Sequence, residues 1–227
     1  MENVPSRVLL FTHSAGYRHS HVTTAVEVIV KLGERSGRFE VFASEEPADL
    51  RPRSLKKYSA IIFITSGELP LSDEQKRALI GYVESGGGFV GIHSAADTLY
   101  SFEDYGKMLG GYFLSHPWTQ EVEIIVEDQS HPSTRHLPPR FRTLEEVYTF
   151  RGWSRDRTHV LLSLDTSSVD LSKGTRTDND YALAWCHSYG SGRVFYTALG
   201  HFTSTWRREW LQRHLLGGIL WAAGIEE

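Results

Sequence analysis

The stretch Gly86-Gly87-Gly88-Phe89-Val90-Gly91-Ile92-His93-Ser94-Ala95-Ala96-Asp97 decides the reading of this chain. Glycines lead into a short apolar run, which stops at Gly-Ile-His-Ser-Ala and gives way to small residues. That is the layout of a nucleophile elbow, a sharp strand-to-helix turn that lifts one side chain above the end of a parallel sheet. The elbow residue is ordinarily Ser or Cys. Here it is His93. An imidazole in that place points to acid/base or ligand-binding chemistry and away from an acyl-enzyme.

Outward from the elbow, the first hundred residues alternate apolar runs with helical spacing. Val8 to Thr12, Phe39 to Ala43, Ser59 to Thr65 and Phe89 to Ile92 read as strands. The continuous apolar character of Val8 to Thr12 and Ser59 to Thr65 fits strands buried on both faces. His21 to Gly33 carries Val22, Val26, Ile29 and Val30 at helical spacing. Ser72 followed by Gln75 is a capping-box start for a helix that ends at the glycines. Strands alternating with helices imply a doubly wound, mostly parallel sheet of the α/β class, with its crevice beyond the carboxyl ends of the strands.

The second half changes character. Glu121 to Glu127, Thr143 to Phe150, His159 to Leu164, Tyr181 to His187 and Arg193 to Thr197 read as strands joined by short irregular pieces, an antiparallel extension. Ser188 to Gly192 reads as a hairpin turn, and Trp206 to Ala223 as one closing amphipathic helix. With 227 residues, no repeat and no linker, residues 1–227 read as a single domain.

Composition excludes several classes of function. Lys and Arg number 24 against 28 Asp and Glu, with no charge run, so no nucleic-acid surface is expected. No apolar run is long enough to span a bilayer, and Met1 to Arg7 lacks the pattern of a signal peptide, so a soluble, cytoplasmic protein is expected. The single cysteine, Cys186, rules out an internal disulfide and reads as a core residue. A homo-oligomer is compatible with everything in the chain.

Eleven histidines are the second signal, and position sorts them. His13 and His19 flank the loop after the first strand, His93 is the elbow, His116 lies in a loop, and His201 follows the last strand and a glycine. His131, His136, His159, His187 and His214 read as structural or solvent-facing. Among acids, Asp97 lies one turn past the elbow, where it would orient His93 or bind substrate. Alternation along Thr143 to Phe150 puts Glu146 and Tyr148 on one face and Glu145 and Val147 on the other. An acid beside an aromatic suits a sugar. We therefore expect His93, His201, Asp97 and Glu146 to carry catalysis, with His13, Tyr17, Arg18, His19, His116, Tyr148 and Asp180 binding substrate. No residue pattern demands a cofactor. There is no phosphate-binding loop and no His-x-x-x-His pair, and His19-Ser20-His21 is a weak metal signal. His93, His116 and His201 are nonetheless of the right type to converge on a divalent metal.

These residues also carry a resemblance. His13 to His19, Gly86 to Thr98, Tyr112 to Pro117, Asp128 to Thr134, Glu145 to Tyr148, Ala184-Trp185, Gly192 to His201 and His214 to Gly224 are similar, in order, to the trehalose-utilisation (ThuA-like) family, a branch of the class I glutamine-amidotransferase-like fold with its flavodoxin-like core. The resemblance implies a role with disaccharides or 3-keto sugars. Related amidotransferases have Cys at the elbow and a late His, where this chain has His93 and His201. Glutamine hydrolysis is thus not expected. Two departures stand out: Glu145-Glu146 replaces Asp-Glu, and Asp180-Tyr181-Ala182 replaces Asp-His-Pro. The expected function is sugar chemistry at an acid/base pair of His93 and His201. The alternatives are a non-catalytic sugar-binding or regulatory module, or a metal-dependent hydrolase. A loop-end residue adds little to a core, so His93→Ala is expected to cost at most about 1 kcal/mol of stability.

Overall fold

Val8 and Leu10 turn to one side of the first strand and Leu9 and Phe11 to the other, and all four are fully buried in the computed structural model, which describes residues 6–226. A strand apolar at every position must be covered on both faces. Strands β1 (Ser6–Phe11), β2 (Phe39–Ser44), β3 (Ala60–Phe63) and β4 (Gly88–Ile92) alternate with helices α1 (Val22–Ser36), α2 (Pro52–Leu55) and α3 (Asp73–Glu84). Helix α4 (Glu103–Leu109) then leads to β5 (Tyr112–Val126), β6 (Arg140–Arg151), β7 (His159–Leu164), β8 (Ala182–Tyr189) and β9 (Gly192–Thr197), and α5 (Thr203–Trp206) and α6 (Glu209–Ala222) close the chain. The nine strands form one sheet, ordered β2-β1-β3-β4-β9-β8-β7-β5-β6.

Helices α1 and α6 pack on the side of Val8, Leu10, Ile62 and Val90, while α2, α3 and α4 pack on that of Leu9, Phe11, Ile61 and Phe89. Local signals set the ends of these helices. Ser72 and Gln75 form the reciprocal capping box at the start of α3. Gly37, at φ +62, ends α1 in the left-handed conformation that costs glycine nothing.

Two expectations are corrected. The sheet is evenly mixed rather than mostly parallel: β1–β2, β1–β3, β3–β4 and β4–β9 pair parallel, and β5–β6, β5–β7, β7–β8 and β8–β9 pair antiparallel. The second half offers no long crossover helix between its strands, and without one successive neighbours must run antiparallel. The closing helix is likewise two helices, broken at Arg207-Arg208. Strand β5 also begins nine residues before its expected start, and α4 lay in a stretch that periodicity left unassigned.

Strand β9 is where the two halves join. It forms a hairpin with β8 across Gly190-Ser191 and runs parallel to β4 on its other side, with Ile92 in register with Thr197. The segments that follow β4 and β9 therefore leave the sheet side by side at the same edge.

Candidate functional site

His93 is the first residue beyond β4 and opens a short 3₁₀ turn, His93–Ala96, over the carboxyl edge of the sheet. Its φ is +47, the left-handed region that non-glycine residues occupy only under constraint. This is the strained turn of an elbow. The turn is pinned by buried phenols: Tyr196 donates its hydroxyl to the His93 carbonyl at 2.8 Å, and Tyr105 donates to the Ala95 carbonyl at 2.7 Å. The ring is fully buried and stacked on Tyr148, with centroids 4.2 Å apart. Its Nδ1–H donates to the Ala198 carbonyl at 2.7 Å. In the neutral ring this leaves Nε2 as a lone pair aimed at the site.

Three donor atoms meet there. His93 Nε2 lies 3.2 Å from His201 Nδ1 and 3.5 Å from a Glu146 oxygen, and the same oxygen is 3.0 Å from His201 Nδ1. His19 brings a fourth: one ligand atom from each of His19, His93, Glu146 and His201 lies within 4.8 Å of the others. The His19 ring stands edge-on to His93 at 4.9 Å and to His201 at 5.5 Å. Its buried Nδ1 has no hydrogen-bond partner among the described residues. Burial, reinforced by His93 and His201, lowers the His19 pKa to about 4, so its ring stays neutral at ordinary pH. Burial works against ionisation of Glu146, but the hydrogen bond with His201 prevails and holds this carboxyl below its usual range. The same contact raises His201.

Glu146 reaches the histidines from the far edge strand, β6. Register shifts in the β5–β6 pairing at Phe113/Ser115 and Ser115/Trp118 bend that ribbon. Alternation holds as read. Glu146 and Tyr148 face the site, while Val147 sits in the opposite core cluster and Glu145 turns away to the backbone of Gly200 and His201. His116 is half-exposed at the mouth, stacked on Phe113, with Nδ1 3.5 Å from the other Glu146 oxygen.

Of the expected residues, His19, His93, His116, His201, Glu146 and Tyr148 come together. Tyr17 is 69% exposed and edges onto the His19 ring at 4.8 Å, at the rim. The other four lie outside the cluster, each with a partner of its own. His13 donates to the Glu45 carbonyl at 2.9 Å and stacks on Phe11, outside the cluster. Arg18 pairs with Glu45 at 2.7 Å. Asp97 does not orient His93. It accepts the Tyr100 hydroxyl at 2.7 Å, and burial raises its pKa. Asp180 is held by Arg155 at 2.6 Å in an ion-pair network with Glu127. Each of these four side chains found a nearer partner that sequence position does not reveal.

His21 also borders the cluster, its ring 5.6 Å from that of His93. Fully buried, it donates Nδ1–H to the His201 carbonyl at 2.9 Å and stacks on Trp206. Burial, with the nearby His93 and His19, lowers its pKa to about 3. The His19-Ser20-His21 doublet was its only sequence signal. The five histidines read as structural or solvent-facing all have local partners: His131 with Ser133, His136 with the Trp210 carbonyl, His159 with Asp128, His187 with the Met108 carbonyl, and His214 with Ser133 and Thr197. Burial pushes the Cys186 thiol up to about 12, as for an inert core residue.

Comparison with known proteins shows the family. A family model described as ThuA, trehalose utilisation, matches residues 7–222. A ThuA-like protein from Bacteroides uniformis is 26% identical, with a TM-score of 0.82 over 98% of this chain and 93% of that one. A ThuA-like protein from Parabacteroides merdae is 20% identical, with a TM-score of 0.79 over 98% and 91%. A cytoplasmic protein from Salmonella typhimurium, 13% identical, shares the fold at a TM-score of 0.60 over 95% and 98%. No curated protein matches. With a match running from the first strand to the last helix, the chain belongs to the ThuA family of trehalose utilisation.

Proposed function

We propose that this chain is an enzyme that transforms a sugar or keto-sugar at a divalent metal held by His93, His201, Glu146 and His19. One observation carries the reading. The Ala198 carbonyl fixes the Nδ1–H tautomer of His93, so in the neutral ring the Nε2 lone pair faces the Glu146 carboxylate at 3.5 Å. Two acceptors in that position need a proton or a cation between them. The three short separations, 3.0, 3.2 and 3.5 Å, suit a cation. Ligands about 2.1 Å from a tetrahedral ion stand about 3.4 Å apart. A backbone carbonyl holding the far nitrogen of a ligating histidine is the usual outer support of such a site. The buried Nδ1 of His19, without a hydrogen-bond partner among the described residues, supplies further donor capacity.

A bound divalent ion would supply Lewis acidity toward a substrate oxygen or water. The residues of the chain do the rest. His116, half-exposed beside Glu146, is placed to exchange a proton with a substrate entering from solvent. Tyr17 at the rim and Phe113 under His116 offer aromatic surface to a sugar ring. The family's association with trehalose and the buried, polar character of the centre both support a carbohydrate substrate. A cytoplasmic setting goes with this reading, as for two structurally similar Salmonella typhimurium proteins described as cytoplasmic.

A second reading, a metal-free acid/base pair of His93 and His201, is favoured by their direct 3.2 Å contact and by Glu146 raising His201. Metal analysis of the purified protein and turnover of disaccharides and 3-keto glycosides before and after chelation separate the two. About one equivalent of metal, with turnover lost on chelation and restored by Zn²⁺ or Mn²⁺, is expected. Full turnover by metal-free protein would leave the acid/base pair. Metal-free, inactive protein that still binds sugar would leave a binding module.

A further inference from the structure

The segment that delivers His201 to the centre is held by side chains at every backbone polar group of two successive residues. Gly200 N–H donates to one Glu145 oxygen at 2.9 Å, and His201 N–H donates to the other at 2.9 Å. The Gly200 carbonyl accepts the Trp206 indole N–H at 2.7 Å, and the His201 carbonyl accepts His21 Nδ1–H at 2.9 Å. Most loops satisfy such groups with water or neighbouring backbone. Here three side chains from β6, α5 and the start of α1 converge on two residues. Gly200 itself is at φ +108, and a Cβ there would press on the Trp206 indole at 3.2 Å.

We infer that Glu145 is a positioning residue for the centre: its buried carboxylate clamps the Gly200-His201 backbone and so fixes where His201 presents Nδ1. The strand makes this coupling tight. Adjacent residues of β6 face opposite ways, so one step of chain places Glu146 in the cluster and Glu145 on the loop that brings Glu146's partner. One Glu145 oxygen also accepts the Glu146 backbone N–H at 3.2 Å, so the same carboxylate braces the strand at the residue that enters the cluster. All three groups facing Glu145 are N–H donors, which a carboxylate satisfies and an amide cannot, since an amide has only one acceptor oxygen.

The clamp rests on hydrogen bonds. Only its affinity readout rests on the metal-centre reading. The test uses the wild-type chain, Glu145→Gln, Glu145→Asp and His201→Ala. Amide hydrogen exchange by NMR is read at residues 200 and 201 against Thr197 and Val90, and Co²⁺ binding is followed by visible absorption. Wild type should bind Co²⁺ and His201→Ala should not. Glu145→Gln should exchange at residues 200 and 201 at least ~10-fold faster with the reference amides unchanged, and should bind Co²⁺ about 10–100-fold more weakly. Glu145→Asp, which keeps the charge and shortens the reach, should fall between, and it decides the matter if Glu145→Gln does not fold. Wild-type exchange and affinity in the folded variants overturn the clamp. So does acceleration spread evenly over β4 and β9, the mark of a purely structural residue. If wild type takes no Co²⁺, the metal reading falls, and local exchange at 200 and 201 still decides the clamp.

Discussion

A single backbone angle at His93 shows how the elbow is built and what it costs. The residue holds φ +47 while its ring is completely buried. Full burial revises the expectation that removing this side chain is nearly free. His93→Ala leaves the Ala198 carbonyl without its donor and opens space against Tyr148. An unsatisfied buried acceptor costs about 1–3 kcal/mol, so urea denaturation should show a loss in that range, together with loss of metal binding and turnover. His93→Gly removes the same ring and also the strained Cβ. Glycine is ordinarily ~0.5–1 kcal/mol less stable than alanine within an element. Here it should equal or exceed alanine, and a normal deficit would show that the turn is unstrained. Histidines away from the centre contribute to the pH dependence alongside His19 and His21, which burial also lowers. Burial lowers His214 to about 3 and His131 to about 4, from an ordinary 6.5. Their unfolded forms take up protons below about pH 6.5 while the folded forms do not. Their contribution is complete above that pH and is lost as pH falls through 6.5 toward 4 and then 3. His214→Gln should flatten the decline in stability between pH 6.5 and 4.5 by up to ~1.4 kcal/mol per pH unit. An unchanged slope in urea midpoints would show that His214 titrates normally.

At the level of elements, the site exists because three strand-end loops are stitched to one another. Ala15 and Gly16 donate to the Ser66 carbonyl after β1 and β3, and Gly67 donates to the Asp97 carbonyl while accepting from Leu99 after β4. Gly67 sits at φ +75, and a Cβ there would run into the backbone of Gly16. Gly67→Ala therefore combines a left-handed residue with a backbone clash and should cost more than about 2 kcal/mol. It should also weaken metal binding through His19. A thermal melt within a degree or two of wild type would contradict the stitching. Helix α3 is simpler. Ser72→Ala removes one half of its capping box and should cost about 1 kcal/mol, with no effect at the centre, since no residue of the cluster bonds to it. Legibility at this scale followed locality. Ser72 and Gln75, the strand end at Ile92, and the β8–β9 turn were readable because each is written in neighbouring residues. The early start of β5 was not, because Pro117 and two register shifts interrupt its alternation. The split of the last helix at Arg207-Arg208 was hidden for a similar reason, since apolar spacing continues across it.

Across the whole molecule, the centre draws on β4, β6, the loop after β1 and the loop after β9, so binding there couples distant parts of the chain. A ligand that binds only the folded state stabilises it by RT ln(1 + [L]/Kd), about 2.7 kcal/mol at a hundredfold excess over Kd. Zn²⁺ should raise the melting temperature of metal-free protein and chelator should reverse the rise, while His201→Ala should show neither. Equal melting curves with and without metal would count against a centre that ties these elements together.

The sequence by itself determined the parallel half of the sheet, the elbow at His93 and the faces of Glu145 and Glu146. Each depends on periodicity or on turn chemistry within a few residues, and those are local physical constraints. The family resemblance was likewise written in short motifs. Only the tertiary structure decided which polar side chains share the centre. His13, Arg18, Asp97 and Asp180 have the same chemistry as the residues that converge, but Glu45, Tyr100 and Arg155 lie closer to them than the centre does. Hydrogen-bond partners are chosen by distance in the folded chain. Whether β9 would lie beside β4, bringing His201 within 3.2 Å of His93, depended on a pairing between strands about a hundred residues apart. No local pattern encodes such a pairing.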